Sequence, residues 1–213
     1  MTEISLINFC GLDGSGKTTQ ASKLVTYLKK HNHDCEYIWL RTTERFTIPL
    51  IILFKILGIS KSIDTESGKK IGVTNLSNHK SLQAIWKKIL LFDLKVVCKR
   101  KVYNPIKRGK LLVVDRFIVD ILVDLVVETK DEKVIEELGP QFLKLLPKNS
   151  KIIFLDIEPE LAFKRSGEYD LKLLKWRKEL YHKIIKSWNI SIMNSKKSIE
   201  EIHSNVLKEC GFY

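Results

Sequence analysis

The sequence predicts an α/β protein with a parallel sheet covered by helices, and three features carry that reading. Apolar runs of strand length alternate with longer segments of helical period, the pattern of strand–helix–strand units. A glycine-rich loop, Gly11-Leu-Asp-Gly-Ser-Gly-Lys-Thr18, stands between the first such run and the first helical segment. Apolar residues make up 44% of 213, enough for one sizeable core and too many for a disordered chain. A single domain over 1–213 is the expectation, with no repeat or low-complexity tract.

Taken in order, Ile4–Cys10 is an almost unbroken apolar run and reads as a buried first strand. Lys17–Lys30 follows as a helix. Cys35–Leu40 reads as a second strand and Pro49–Leu57 as an apolar helix with proline near its start. The polar stretch Gly58–Asn78 reads as a long loop, a mobile segment on the acceptor side of a site. One long helix is expected over His79–Asn104, then the strand Lys110–Val114 and helices at Ile118–Val127 and Glu132–Leu145. The strand Lys151–Asp156, helices at Pro159–Lys164 and Leu171–Ser187, the short strand Ile190–Met193 and a helix over Ser198–Cys210 complete the chain.

Composition narrows the class. Lys+Arg 37 against Asp+Glu 25 leaves a net charge of +12, so the chain attracts anions such as nucleotides or nucleic acid. Four scattered cysteines without a C-x-x-C pair argue for reduced thiols, hence a cytoplasmic setting, over a disulfide framework or zinc site. The N-terminal MTEISLINF lacks the basic segment of a secretory signal. The most apolar run, Phe46–Leu57, is too short to span a bilayer and contains Pro49 and Lys55, so no membrane association is expected.

The glycine loop carries the most chemistry. It fits G-x-x-x-x-G-K-[ST] at every position, with a strand before it and a helix after it. Glycines let the backbone curl so that successive N–H groups point at phosphate oxygens, and the helix aims its positive end at the same place. Gly11, Asp13, Gly14, Ser15, Gly16, Lys17, Thr18 and Thr19 are therefore the candidate ATP cradle. Lys17 is expected to reach the β- and γ-phosphates and the Thr18 hydroxyl to ligate Mg²⁺. ATPases, GTPases and small-molecule kinases all use such a cradle; the N-K-x-D segment that reads guanine is absent.

Further segments narrow the choice, in constant order along the chain. They are GLDGSGKTTQ (11–20), LRTTERFT (40–47), LLVVDRF (111–117), LDIEPELAFKR (155–165) and MNSKKSIEEIH (193–203). Together they resemble the thymidylate kinases, a branch of the P-loop nucleoside monophosphate kinases. The resemblance implies a three-layer P-loop NTPase fold, with a five-stranded parallel sheet flanked by helices. It also implies ATP and Mg²⁺, a dTMP-like acceptor and a homodimer. It gives Arg45 the acceptor's phosphate and Arg116 the reacting phosphates. It sets Asp13 near the acceptor's sugar hydroxyl, Asp115 near the metal, and the Asn194–Lys197 turn, with Lys196, near adenine. Arg165, with Lys164 and Lys172 as alternatives, in a short lid at about 164–172, is the expected transition-state cation, because moving phosphoryl groups require convergent positive charge.

The acceptor side departs from the family's pattern. Leu90-Leu-Phe92-Asp-Leu-Lys95 stands where the family has L-F-x-A-x-R, so Phe92 is the candidate stacking ring and Lys95, or else Arg100, the replacement cation. Asp120 and Asp124 stand where the family carries neutral polar residues, with Asp120 the candidate sugar or base contact. Two alternatives stay open. One is a kinase for another nucleotide or nucleoside. The other is an ATP-holding protein that binds nucleic acid through Lys99-Arg-Lys101 and Lys107–Lys110 without phosphoryl transfer. The missing aromatic interleaving argues against nucleic acid.

Overall fold

A computed structural model describes residues 4–41, 47–64, 68, 70–188 and 190–212. The elements run β1 (Leu6–Cys10), α1 (Lys17–Lys30), β2 (Cys35–Trp39), α2 (Thr47–Ile56), β3 (Ser60–Asp64), β4 (Lys70–Thr74), α3 (Lys80–Val97) and α4 (Asn104–Lys107). Then come β5 (Leu111–Asp115), α5 (Ile118–Thr129), α6 (Lys133–Leu143), β6 (Ser150–Asp156), α7 (Pro159–Ser166), α8 (Leu171–Ser187), β7 (Ser191–Asn194) and α9 (Ile199–Cys210).

Five strands form one parallel sheet in the order β2-β5-β1-β6-β7, as the apolar runs predicted. β1 lies at its centre and is buried along its whole length. Its side chains alternate between two cores. Leu6 and Cys10 join Leu112, Val114, Ile152 and Phe154 beneath α3, α5, α6 and α8. Ile7 and Phe9 join Val113, Ile153 and Leu155 beneath α1 and α9. Helices cover both faces, which explains why these strands read as continuous apolar runs rather than alternating ones. Buried Asn8 Nδ2 donates to Val114 O at 3.1 Å, across to the neighbouring strand.

The segment 58–78 is not a structureless loop. β3 and β4 pair antiparallel as a separate two-stranded ribbon. Fully buried Leu76 anchors its end, with Leu76 N donating to Glu128 O at 2.8 Å. Polar side chains hid this ribbon, because its stability comes from backbone pairing and one anchor rather than from a buried face. The expected continuous helix over 79–104 is also modified: α3 gives way to a wide π-type turn at Cys98–Tyr103 before α4.

Candidate active site

The loop Gly11–Gly16 leaves the carboxyl end of β1, the edge of a parallel sheet where α/β proteins take their ligands. Two glycines are required by close approach as well as by backbone conformation. A Cβ on Gly11 would stand 2.7 Å from Leu155 O, and one on Gly14 would stand 2.7 Å from Ala162 O. Their φ values, +140° and +86°, lie where L-residues are strained. Asp170 caps α8 and Ser198 caps α9 with side-chain hydrogen bonds, but α1 begins at Gly16 with no side-chain cap and no acid in its first turn. Its first N–H groups have no side-chain cap, an arrangement suited to an anion.

Around them lies a cleft of about 770 Å³, lined by the loop, Thr18, Thr19, Arg116, Arg165, Ser195 and Lys197 among others. Lys17 is buried and its Nζ donates to Gly11 O at 2.8 Å and Leu12 O at 2.7 Å, holding the loop closed on itself. Thr18 Oγ1 donates to Asp115 Oδ2 at 2.6 Å, and Tyr37 OH donates to the same oxygen at 3.0 Å. Burial first, then the Asp115 carboxylate, pushes the Tyr37 phenol up to about 12, so it stays a donor. Asp115 Oδ1 is buried without a hydrogen-bond partner among the described residues. A hydroxyl beside a carboxylate with a spare acceptor fits a hydrated Mg²⁺, Thr18 as direct ligand and Asp115 through water.

Cations converge from separate elements. Arg116, just after β5, has a φ of 65° and pairs through Nη2 with Asp13 of the loop, while its buried Nη1 makes no hydrogen bond among the described residues. Arg165, at the end of α7, sends Nη1 over the loop to 3.5 Å from Gly14 O and 3.4 Å from Ser195 O. Arg41, past the end of β2, lies 3.7 Å from Asp13 Oδ2 and donates to Tyr169 OH in the short connection between α7 and α8. The Arg177 guanidinium stands 5.3 Å from the centre of the Tyr169 ring.

A second, smaller cavity of about 80 Å³ adjoins Arg41, between α2, α3 and α5. It has room for several waters, the scale of one heterocyclic ring, and Thr47, Trp86, Leu90, Asp124 and Glu128 line it.

Four of the expected site residues need correction. Asp120 is fully buried beneath the loop and faces neither cleft. Its Oδ1 accepts from Tyr181 OH at 2.8 Å and Gly11 N at 3.4 Å, and its Oδ2 from Phe117 N at 3.3 Å, so it positions the loop. Burial raises its carboxyl above the usual range, although Lys17 and Arg116 pull it down. Lys196 turns away to Glu158 at 3.3 Å, and its neighbour Lys197 lines the cleft instead. Phe92 is 54% exposed and Lys95 is exposed, both off the face of α3 that meets the cavity; Trp86 and Leu90 occupy that face. Arg45 lies outside the described residues.

Sequence reading passed over Tyr37, Arg41, Tyr169, Arg177 and Glu128. Arg177 had a legible signal. Leu174, Arg177, Tyr181 and Ile184 share one face of α8, and an arginine within an apolar stripe is a buried charge with a partner, here Asp124 at 2.6 Å.

Sheet order, glycine loop and converging arginines define a P-loop phosphotransferase architecture. No family model matches the chain. It is 25% identical over 203 residues to the probable thymidylate kinase of Sulfurisphaera tokodaii, covering 92% of this chain and 90% of that protein. It is 25% identical to the thymidylate kinase of Thermoanaerobacter sp. (strain X514), covering 88% and 82%. The thymidylate kinase of Plasmodium falciparum (isolate 3D7) is 28% identical over 95% of this chain and 88% of its own length. Over most of its length the chain is thus similar to thymidylate kinases of several organisms, at 24–28% identity.

Proposed function

We propose that this protein transfers the γ-phosphoryl group of ATP to a deoxynucleoside monophosphate, in the reaction dTMP + ATP → dTDP + ADP. The observation that carries this reading is the convergence of Lys17, Arg116 and Arg165 on one cleft, with a second cavity beside it. The names of its relatives support the acceptor.

The ATP phosphates lie on the loop amides and on Lys17, which exchanges its bonds to Gly11 O and Leu12 O for phosphate oxygens. Mg²⁺, when bound at Thr18 and Asp115, neutralises charge on the β- and γ-phosphates. Arg116, anchored by Asp13, lines the cleft and holds the phosphates that react. Arg165 lies over the loop, suited to the charge that spreads across the moving group. Arg45, by its family resemblance, holds the acceptor's own phosphate. Closure of the 164–172 lid excludes water, which would otherwise hydrolyse ATP. Positioning and charge supply most of the catalysis, so no strong base is required.

We place the enzyme in the cytoplasm, where its four buried free cysteines stay reduced. Ile48, Ile52, Leu53 and Ile56 on α2 are exposed and apolar, which supports a homodimer; sedimentation at twice the chain mass is the check.

Coupled ADP release with ATP, Mg²⁺ and dTMP tests the reaction. Release should depend on dTMP, Arg116→Ala should lower kcat about 10³-fold, and Arg45→Ala should raise the KM for dTMP. Equal ADP release with and without every acceptor in a monophosphate panel sinks the reading.

A further inference from the structure

Two carboxyls line the smaller cavity, and their neighbours treat them differently. Asp124 is joined to Arg177 Nη2 at 2.6 Å. Burial raises the Asp124 carboxyl, but Arg177 and Arg41 outweigh burial and hold it below its usual range. Glu128, one turn farther along α5, has no cation within ion-pair reach among the described residues. Its Oε2 accepts from Trp86 Nε1 at 2.8 Å, and its Oε1 has no hydrogen bond among those residues. Burial pushes the Glu128 carboxyl up to about 8, helped by Asp124 and opposed by the Trp86 bond and Arg177.

The other groups around this acid are accounted for. Arg41 lines the same cavity from the end of β2, Arg177 acts on the acid from α8, and α2 contributes uncharged Thr47 and Ile51. Asp93 of α3 accepts from Thr47 N at 3.2 Å and Thr47 Oγ1 at 3.0 Å. Lys87 of α3 turns to Glu137 at 2.8 Å and Asp131 at 3.5 Å.

The acceptor side is polarised along α5. Arg116, 4.0 Å from Asp120, and Arg41, 3.7 Å from Asp13, stand toward the glycine loop, where phosphate belongs, and Glu128 with Trp86 closes the far end of the cavity. Two helical turns, about 12 Å of rise, separate Asp120 from Glu128. That span is comparable with a nucleotide from its phosphate to the far edge of its ring.

We propose that Glu128 is the base-reading residue of the acceptor cavity and engages the imide edge of a thymine- or uracil-type ring; this rests on the phosphoryl-transfer reading above. A neutral carboxyl offers an acceptor and a donor side by side. Oε2 keeps a lone pair for the ring N3–H beside its bond from Trp86, and Oε1–H donates to the adjacent ring carbonyl. Ionised, the same group sets two electron-rich oxygens against that carbonyl and loses one hydrogen bond. The imide, rather than an aminopyrimidine edge, follows from the acceptor assigned above.

The test is the KM for dTMP and for dUMP, measured by coupled ADP release between pH 6.5 and 9.5 in wild type, Glu128→Gln and Glu128→Ala. Wild-type KM should rise above pH 8, approaching about tenfold per pH unit as the neutral form is depleted. Glu128→Gln keeps a donor and an acceptor but never ionises, so its KM should not follow that rise. Glu128→Ala should raise KM by roughly 10- to 100-fold at pH 7, the usual effect of a lost buried hydrogen bond, with kcat much less affected. If Glu128→Ala fails to fold, the pH profile of Glu128→Gln decides. A wild-type KM that is flat with pH, a Glu128→Gln profile parallel to wild type, or a lower KM for dCMP than for dTMP and dUMP overturns the inference and leaves the kinase standing. ADP release indifferent to every acceptor overturns the kinase reading and this inference together.

Discussion

Lys17 is buried, and burial lowers its ammonium below the ordinary lysine range although Asp120 and Asp115 pull the other way. A charge held there without phosphate is a cost to the empty fold, partly offset by the carbonyls of Gly11 and Leu12. Lys17→Met removes the charge and keeps the length. Its predicted outcome is a split: kcat falls about 10²–10³-fold or more, as when a transition-state donor is deleted, while the apo protein melts at the same temperature or higher. Coupled assays and thermal unfolding of the same preparation check it. A clear drop in melting temperature would show the ammonium to be structural instead. Arg116 follows a related logic, since it keeps a φ of 65° that costs an L-residue about 1–3 kcal/mol. Its backbone N donates to Phe9 O at 2.9 Å and its guanidinium is tied to Asp13, so the strained conformation delivers a cation to the loop.

Between elements, the closest dependence is of α7 on the glycine loop. Gly14 lies so near α7 that an added Cβ would meet Ala162 O at 2.7 Å and Arg165 Cβ at 3.2 Å, whereas Gly16, at φ +92°, has open space around it. Gly14→Ala should therefore push α7 and Arg165 off the loop, and Gly16→Ala should only strain a backbone dihedral. We expect Gly14→Ala to lose about 10³-fold in kcat, the scale of a missing transition-state arginine, and to lose far more than Gly16→Ala; comparable losses would detach Arg165 from that role. This dependence was half legible. The loop is local and followed from Gly11 to Thr18, as did the strand before it and the helix after it. The approach of Ala162 depends on how α7 crosses the loop, which no local pattern encodes. The same limit displaced the acceptor residues: Phe92 was read from a motif-like run, but the face α3 buries is set by Trp86, Leu90, Leu94 and Val97 at helical spacing. Asp120 read as a sugar or base contact because its actual partners, Gly11 N and Tyr181 OH, lie 109 and 61 residues away. The β3–β4 ribbon escaped because a polar hairpin held by backbone pairing resembles a loop in composition.

Over the whole molecule, the acids beneath the site couple folding to pH. Asp120 and Glu128 both have carboxyls raised by burial, Glu128 to about 8 from an ordinary 4.5. A carboxyl raised in the folded state binds its proton there while the unfolded chain has already lost it. Its contribution to stability is thus fully present below about pH 4.5 and is lost as pH rises through about 8. A raw stability profile mixes this with the net charge of +12 and with five histidines, whose protonation below neutrality adds self-repulsion. Comparing wild type with Glu128→Gln removes those shared contributions. Urea unfolding of both proteins at pH 5, 7 and 9 should show wild type losing stability relative to Glu128→Gln at each step upward, with the difference levelling off beyond the Glu128 titration. Parallel profiles would mean that Glu128 is already ionised in the folded protein at neutral pH. The neutral carboxyl would then be unavailable as a donor, and the acid lining the cavity would serve only as a carboxylate acceptor.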